Sequence, residues 1–161
     1  MRVYIEGITD QALPEALGVA DRSIIALGGI GNVVNKVAKE IRSIGIIDED
    51  PGYPKPSSFG QFFLDDNAKQ HNLKFYRHKS NNNLLIVLSP KLELWILRVA
   101  KLAKIDITKY HLSNKPNHLR IDLRGSNARN YLKKFVAYLI SQNNATILYL
   151  QDVLIKEYVQ P

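Results

Sequence analysis

The chain has 161 residues, 45% of them hydrophobic, no cysteine, and a formal charge of +7 at pH 7. That size fits one domain with an ordinary core, and the missing cysteine excludes disulfide frameworks, thiolate metal sites and cysteine nucleophiles. No apolar run approaches about 18 residues, and the amino terminus lacks a basic-then-apolar pattern, so no membrane span or secretory signal is expected and the expected compartment is the cytoplasm.

In chain order, residues 2–6 read as a short apolar strand ending in Glu6 and Gly7. Asp10 precedes Gln11-Ala12-Leu13 as a helix cap, Pro14 is tolerated in the first turn, and Gly18 stops the helix. Residues 23–27 carry no charge within the apolar run and read as a strand buried on both faces. Gly28-Gly29-Ile30-Gly31-Asn32 leads into a helix whose Val33, Val34, Val37, Ala38 and Ile41 recur at helical spacing. A third strand, 44–48, ends in Asp48-Glu49-Asp50, and residues 51–58 form a Pro/Gly-rich loop.

Beyond the loop, residues 65–71 are expected as a brief helix or turn, 73–78 as a fourth strand and 84–88 as a fifth, with Asn81-Asn82-Asn83 turning between them. Pro90 opens a helix with Leu92, Trp95, Ile96, Val99 and Leu102 on one side. Residues 106–118 read as irregular, Ser126 as the cap of a helix burying Leu132, Phe135, Val136 and Leu139, and 146–159 as a last helix or a terminal strand. The alternation predicts one α/β domain, Rossmann-like, with a mainly parallel sheet flanked by helices. Residues 1–88 supply the sheet core and 89–161 a basic, mostly helical part.

In an open parallel sheet, ligands bind at the carboxyl ends of the strands. Glu6, Asp48 and Asp50 are therefore expected to meet at one edge, where like charges raise one another's pKa unless a cation is present. A hard, oxygen-seeking Mg²⁺ or Mn²⁺ suits such a group. A Glu closing the first strand and an Asp-x-Asp closing the third resemble the Toprim domain, most closely the small stand-alone kind related to the OLD (overcoming lysogenisation defect) nucleases. The resemblance covers roughly the first third of the chain closely and the middle third loosely. It implies Asp48 and Asp50 as metal ligands, Glu6 as a further ligand or general acid/base, and nucleotidyl transfer or phosphodiester hydrolysis. Its stretch Pro90-Lys91-Leu92-Glu93-Leu94-Trp95 is similar to one that carries an acidic residue in such proteins, so Glu93 is either a second metal ligand or an acid favoured by a helix N-terminus.

Residues 1–66 hold 6 Lys/Arg against 10 Asp/Glu, and residues 67–161 hold 16 against 5. An acidic part joined to a basic part suits a polyanion held near a metal. Arg77 and Lys79, closing the fourth strand, and Arg98, Lys101 and Lys104, on the helix after Pro90, are the candidate phosphate contacts. Glu49 should point away as plain surface. No Walker loop, zinc module or gate tyrosine is recognisable, so topoisomerase and primase activities are not expected. The expectation is a Mg²⁺- or Mn²⁺-dependent nuclease-type protein acting on DNA or RNA, with self-association or a protein partner left open. The alternative is a non-catalytic nucleic-acid-binding or partner-binding module with an idle acidic cluster.

Overall fold

The computed structural model describes residues 1–159, with side chains through Glu157. One six-stranded mixed sheet contains β1 (Arg2–Ile5), β2 (Ile24–Ala26), β3 (Ser43–Asp48), β4 (Phe62–Ala68), β5 (Leu73–His78) and β6 (Leu84–Leu88), in the spatial order β2-β1-β3-β6-β5-β4. The neighbours β2, β1, β3 and β6 run parallel, while β5 is antiparallel to both β6 and β4. The helices are α1 (Ala12–Ala16), α2 (Ile30–Lys39), α3 (Leu92–Leu102), α4 (Pro116–Asp122), α5 (Ser126–Ser141) and α6 (Ala145–Val159). The protein is thus α/β, with a mostly parallel sheet flanked by helices.

Side chains alternate across a strand, so each strand feeds two cores. On one face Tyr4, Ile47, Leu85 and Val87 meet Val33, Val34 and Val37 of α2. On the other, Val3, Ile5, Ile44, Ile46, Phe75 and Ile86 pack with Leu13, Trp95, Leu119, Phe135, Leu139 and Leu150 from the remaining helices. Burying each large aliphatic or aromatic side chain stabilises the fold by about 1.5–3 kcal/mol. Gly45 sets the distance of α2 from the sheet. A Cβ there would lie 2.6 Å from Leu85 Cδ2 and 2.9 Å from Val33 Cγ1. Asn83, 3% exposed, ties α2 to the sheet through Nδ2, which donates to Val37 O at 2.8 Å and Glu40 O at 2.6 Å, while its Oδ1 accepts from Ser43 N at 2.9 Å.

Several elements differ from expectation. Residues 62–68 form strand β4 rather than a helix or turn, followed by a 3₁₀ turn at Lys69–His71. As an edge strand paired only to β5, β4 leaves Asp65, Asp66 and Asn67 in solvent, which hides the strand from a hydrophobicity pattern. β2 is also an edge strand, half-buried and not covered on both faces. α2 stops at Lys39, leaving Ile41 82% exposed. Asp10 lies in a 3₁₀ turn, Ile8–Gln11, where its carboxylate accepts from Gly7 N instead of capping α1. α3 starts at Leu92, after the cis Ser89–Pro90 bond, and its outer residue Leu102 is 62% exposed. The segment 106–118 contains a 3₁₀ turn, Ile107–Tyr110, and the start of α4. α5 is preceded by Gly125, and Ser126 makes no capping bond. The last segment is the helix α6; the side chain of Tyr158 lies outside the described residues.

Candidate active site at the carboxyl edge of the sheet

β1 and β3 are parallel, with Ile5 in register with Ile46, so the chain leaves both strands at the same edge. Glu6 therefore arrives beside Asp48, and its Oε1 accepts the Asp48 backbone N–H at 2.7 Å. β6 runs parallel to β3 and delivers the start of α3 to this edge, where Asp48 Oδ1 accepts the Leu92 N–H at 2.9 Å. The turn after β2 closes the group as Gly28 N donates to Glu6 O at 2.7 Å. Gly28 and Gly29 have φ of 84° and 144°, which suits glycine and explains the pair.

These elements enclose a cleft of about 340 Å³ lined by Glu6, Gly7, Thr9, Asp10, Gly28, Gly29, Asp48, Glu93 and Arg120. Burial, reinforced by Asp10 and Asp50, pushes the Glu6 carboxyl up to about 7 against the opposing Asp48 N–H bond and Lys55. Burial also pushes Asp48 up to about 7, aided by Glu6, Asp10 and Glu93. Asp10 is raised by burial as well, with Glu93 adding to the shift and Arg120 opposing it. Carboxyls poised near neutrality can exchange protons with a reacting group at ordinary pH.

Glu93 sits in the first turn of α3 and is only 4% exposed. Lys91 Nζ stands 3.3 Å from its Oε1 but outside hydrogen-bond geometry, so that buried oxygen has no hydrogen-bond partner among the described residues. Asp50 is exposed and lines a neighbouring cleft of about 560 Å³ with Glu6, Gly28, Gly29, Ile30, Gly31, Asn32, Tyr53, Pro54 and Pro56. Asp48 and Asp50 thus flank Glu6 in different clefts. Among the described residues, no group of three or more acidic or histidine side chains is gathered tightly enough to hold a metal unaided.

The other candidates fall elsewhere. Arg77, a candidate phosphate contact, lies far from this site, because β5 is antiparallel and pairs Arg77 with Leu84 at the start of β6, the opposite edge. Arg77 binds Glu157 at 2.8 Å and Asp65 at 3.2 Å, and Lys79 Nζ donates to Gly60 O at 2.8 Å. Arg98, Lys101 and Lys104 are exposed on or just beyond α3 and line neither cleft. Glu49 pairs with Lys74, away from both clefts. Two residues that sequence reasoning missed are Asp10, assigned to a cap, and Arg120, brought in by α4. For Asp10 the signal was its place three residues after Gly7 at a strand end; for Arg120 no local signal exists. Comparison with protein-family models, curated proteins and solved structures returns no match to this chain. No helix among the described residues is long and apolar enough to cross a membrane.

Proposed function

We propose that the protein carries out divalent-metal-dependent phosphodiester chemistry on nucleic acid, of the nuclease or nucleotidyl-transfer type that its resemblance to Toprim domains implies. The observation that carries this reading is the convergence of Glu6, Asp10, Asp48 and Glu93 on one cleft, with Glu93 Oε1 buried, unbonded by any hydrogen-bond donor among the described residues and facing the Lys91 ammonium at 3.3 Å. The donor set fits Mg²⁺ or Mn²⁺: hard oxygen ligands only, and Mg²⁺ needs one or two protein carboxylates because it keeps several waters. A preformed three-carboxylate cage is therefore not required.

Asp48 and Glu93, which line one cleft, are the residues that would hold the ion there, with Asp50 acting from the neighbouring cleft on the other side of Glu6. A bound ion of this kind neutralises phosphate charge and lowers the pKa of water. Glu6, at the junction of the two clefts, takes the proton from the attacking hydroxyl and can return one to the leaving oxygen. Asp48 keeps Oδ1 on Leu92 N, which fixes its carboxylate and leaves Oδ2 for a ligand.

Calorimetric titration with Mn²⁺ tests the site. Wild type should bind, and Asp48→Asn with Asp50→Asn should abolish binding while the fold persists. Unchanged Mn²⁺ affinity in the double variant would remove this reading. A second reading, the non-catalytic module, is favoured by a specific observation: Glu6 and Asp48 each already accept a backbone N–H and so have a structural role. Oligonucleotide binding that is indifferent to Mn²⁺, without cleavage, would favour the module.

A further inference from the structure

The two clefts at the carboxyl edge adjoin at Glu6, Gly28 and Gly29, which line both. We infer that the two clefts together form a groove that takes single-stranded nucleic acid, with an unpaired base against Tyr53 on one side of Glu6 and a phosphate of the same strand against Arg120 on the other. The inference rests on the functional reading above and names its substrate class.

The two ends differ in chemistry. One has Ile30, Tyr53, Pro54 and Pro56 as an apolar wall, and Tyr53 is 69% exposed. An exposed ring beside a cleft is a stacking platform, which accepts any base because every base has a π-face. A base inside a duplex has both faces occupied by its neighbours, so only an unpaired base can use it. The other end has Arg120, an exposed residue whose guanidinium makes no ion pair with a carboxylate among the described residues, although Asp10 feels its charge. A guanidinium left without a carboxylate next to four of them is available to a phosphate, which it can grip through two N–H groups. The volumes, about 560 and 340 Å³, lie within the range of small-ligand pockets.

Gly31 lines the Tyr53 end as well and offers a probe of it. It lies in the first turn of α2 with no left-handed φ, and a Cβ built on it meets no heavy atom within 4 Å. The fold does not require glycine there, and alanine would favour the helix. A methyl group there would stand in open space at a position that lines the same cleft as Tyr53.

The test is fluorescence anisotropy with labelled oligothymidylate, oligouridylate and a long blunt-ended duplex in the presence of Mn²⁺, alongside calorimetric Mn²⁺ titration. Tyr53→Ala should weaken single-strand binding by about 5- to 160-fold and leave duplex binding unchanged, while Tyr53→Phe should retain single-strand binding. Arg120→Gln should weaken binding and flatten the single-strand salt slope by about 0.7, and Arg120→Lys should restore the slope. Gly31→Ala should raise the melting temperature yet weaken single-strand binding, opposite signs that a structural role cannot give. Binding of either single strand supports the inference, and the preferred strand identifies DNA or RNA as the source. If wild type binds Mn²⁺ but Tyr53→Ala and Gly31→Ala bind single strands normally, or lose duplex binding equally, this inference alone is overturned. If wild type binds no Mn²⁺, the functional reading falls and takes the inference with it.

Discussion

Asp48 shows how much one side chain can be asked to do at a strand end. It closes β3, accepts the first free N–H of α3, and shares the cleft with Glu6, Asp10 and Glu93. The cost is visible in titration: Glu6 and Asp48 both stand near 7 because burial disfavours their ionised forms. Unfolded, they titrate near about 4. Between about pH 4 and 7 the folded state therefore holds protons that the unfolded chain has released, so their contribution to stability is fully present below about pH 4 and is lost as pH rises through about 7. Thermal melts of metal-free protein should show stability falling across that window, and Glu6→Gln or Asp48→Asn should flatten the fall. Asparagine keeps an oxygen for Leu92 N, so Asp48→Asn removes charge without uncapping α3. Added Mn²⁺ should raise the melting temperature most at the alkaline end. A wild-type profile that rises over the same range, unaltered by either variant, would contradict this account.

At the scale of elements, the site depends on how closely α2 and the sheet approach. Gly45→Ala would drive a methyl group into Leu85, Val33 and Val37, and overpacking of this kind costs typically about 1–3 kcal/mol. Asn83→Ala would leave Ser43 N and the carbonyls of Val37 and Glu40 without their side-chain partner, at about 1–3 kcal/mol per buried group left unsatisfied. Urea denaturation should register both losses, and a change below about 0.5 kcal/mol in either would show that the neighbours relax freely. The placing of α2, α3 and the β2–α2 turn was legible because Val33, Val34, Val37 and Trp95, Ile96, Val99 keep helical spacing and because adjacent glycines mark a turn. The direction of β5 was not. Leu73–His78 reads the same whether it pairs parallel or antiparallel, and only its hairpin to β6 sends Arg77 to the far edge.

For the whole molecule, the uneven charge makes a prediction separate from the metal. Arg98, Lys101 and Lys104 are exposed on the basic C-terminal part and outside the groove. If they contact phosphates, nucleic-acid affinity should fall steeply with salt, by a log–log slope of about −0.9 per phosphate on duplex and about −0.7 on single strands. Changing all three to Gln should flatten the duplex slope by up to roughly 2.7 and weaken binding alike across sequences, because phosphate contacts carry no base information. Asp48→Asn should leave this binding in place. Anisotropy against random duplex and single-stranded oligonucleotides at several salt concentrations reads all of this, and no binding at low salt would point to a partner-binding module.

By itself the sequence determined the things that depend on near neighbours along the chain. Apolar runs ending in Glu6 and Asp48 specified strands with acidic ends, and the helical spacing between them specified the crossovers that make β1 and β3 parallel. Right-handed crossovers leave few other solutions, so the shared edge of Glu6 and Asp48 followed from pattern alone. Tertiary structure decided what depends on pairing partners and on distance. It made the polar segment 62–68 an edge strand and reversed β5. It also placed Asp48 and Asp50 in different clefts, with a left-handed φ of 38° at Asp50. It brought Asp10 and Arg120 to the groove, the latter from a helix far along the chain. No local pattern encodes such a meeting; it results from packing α4 with α1, α3, α5 and α6 onto the face of the sheet opposite α2.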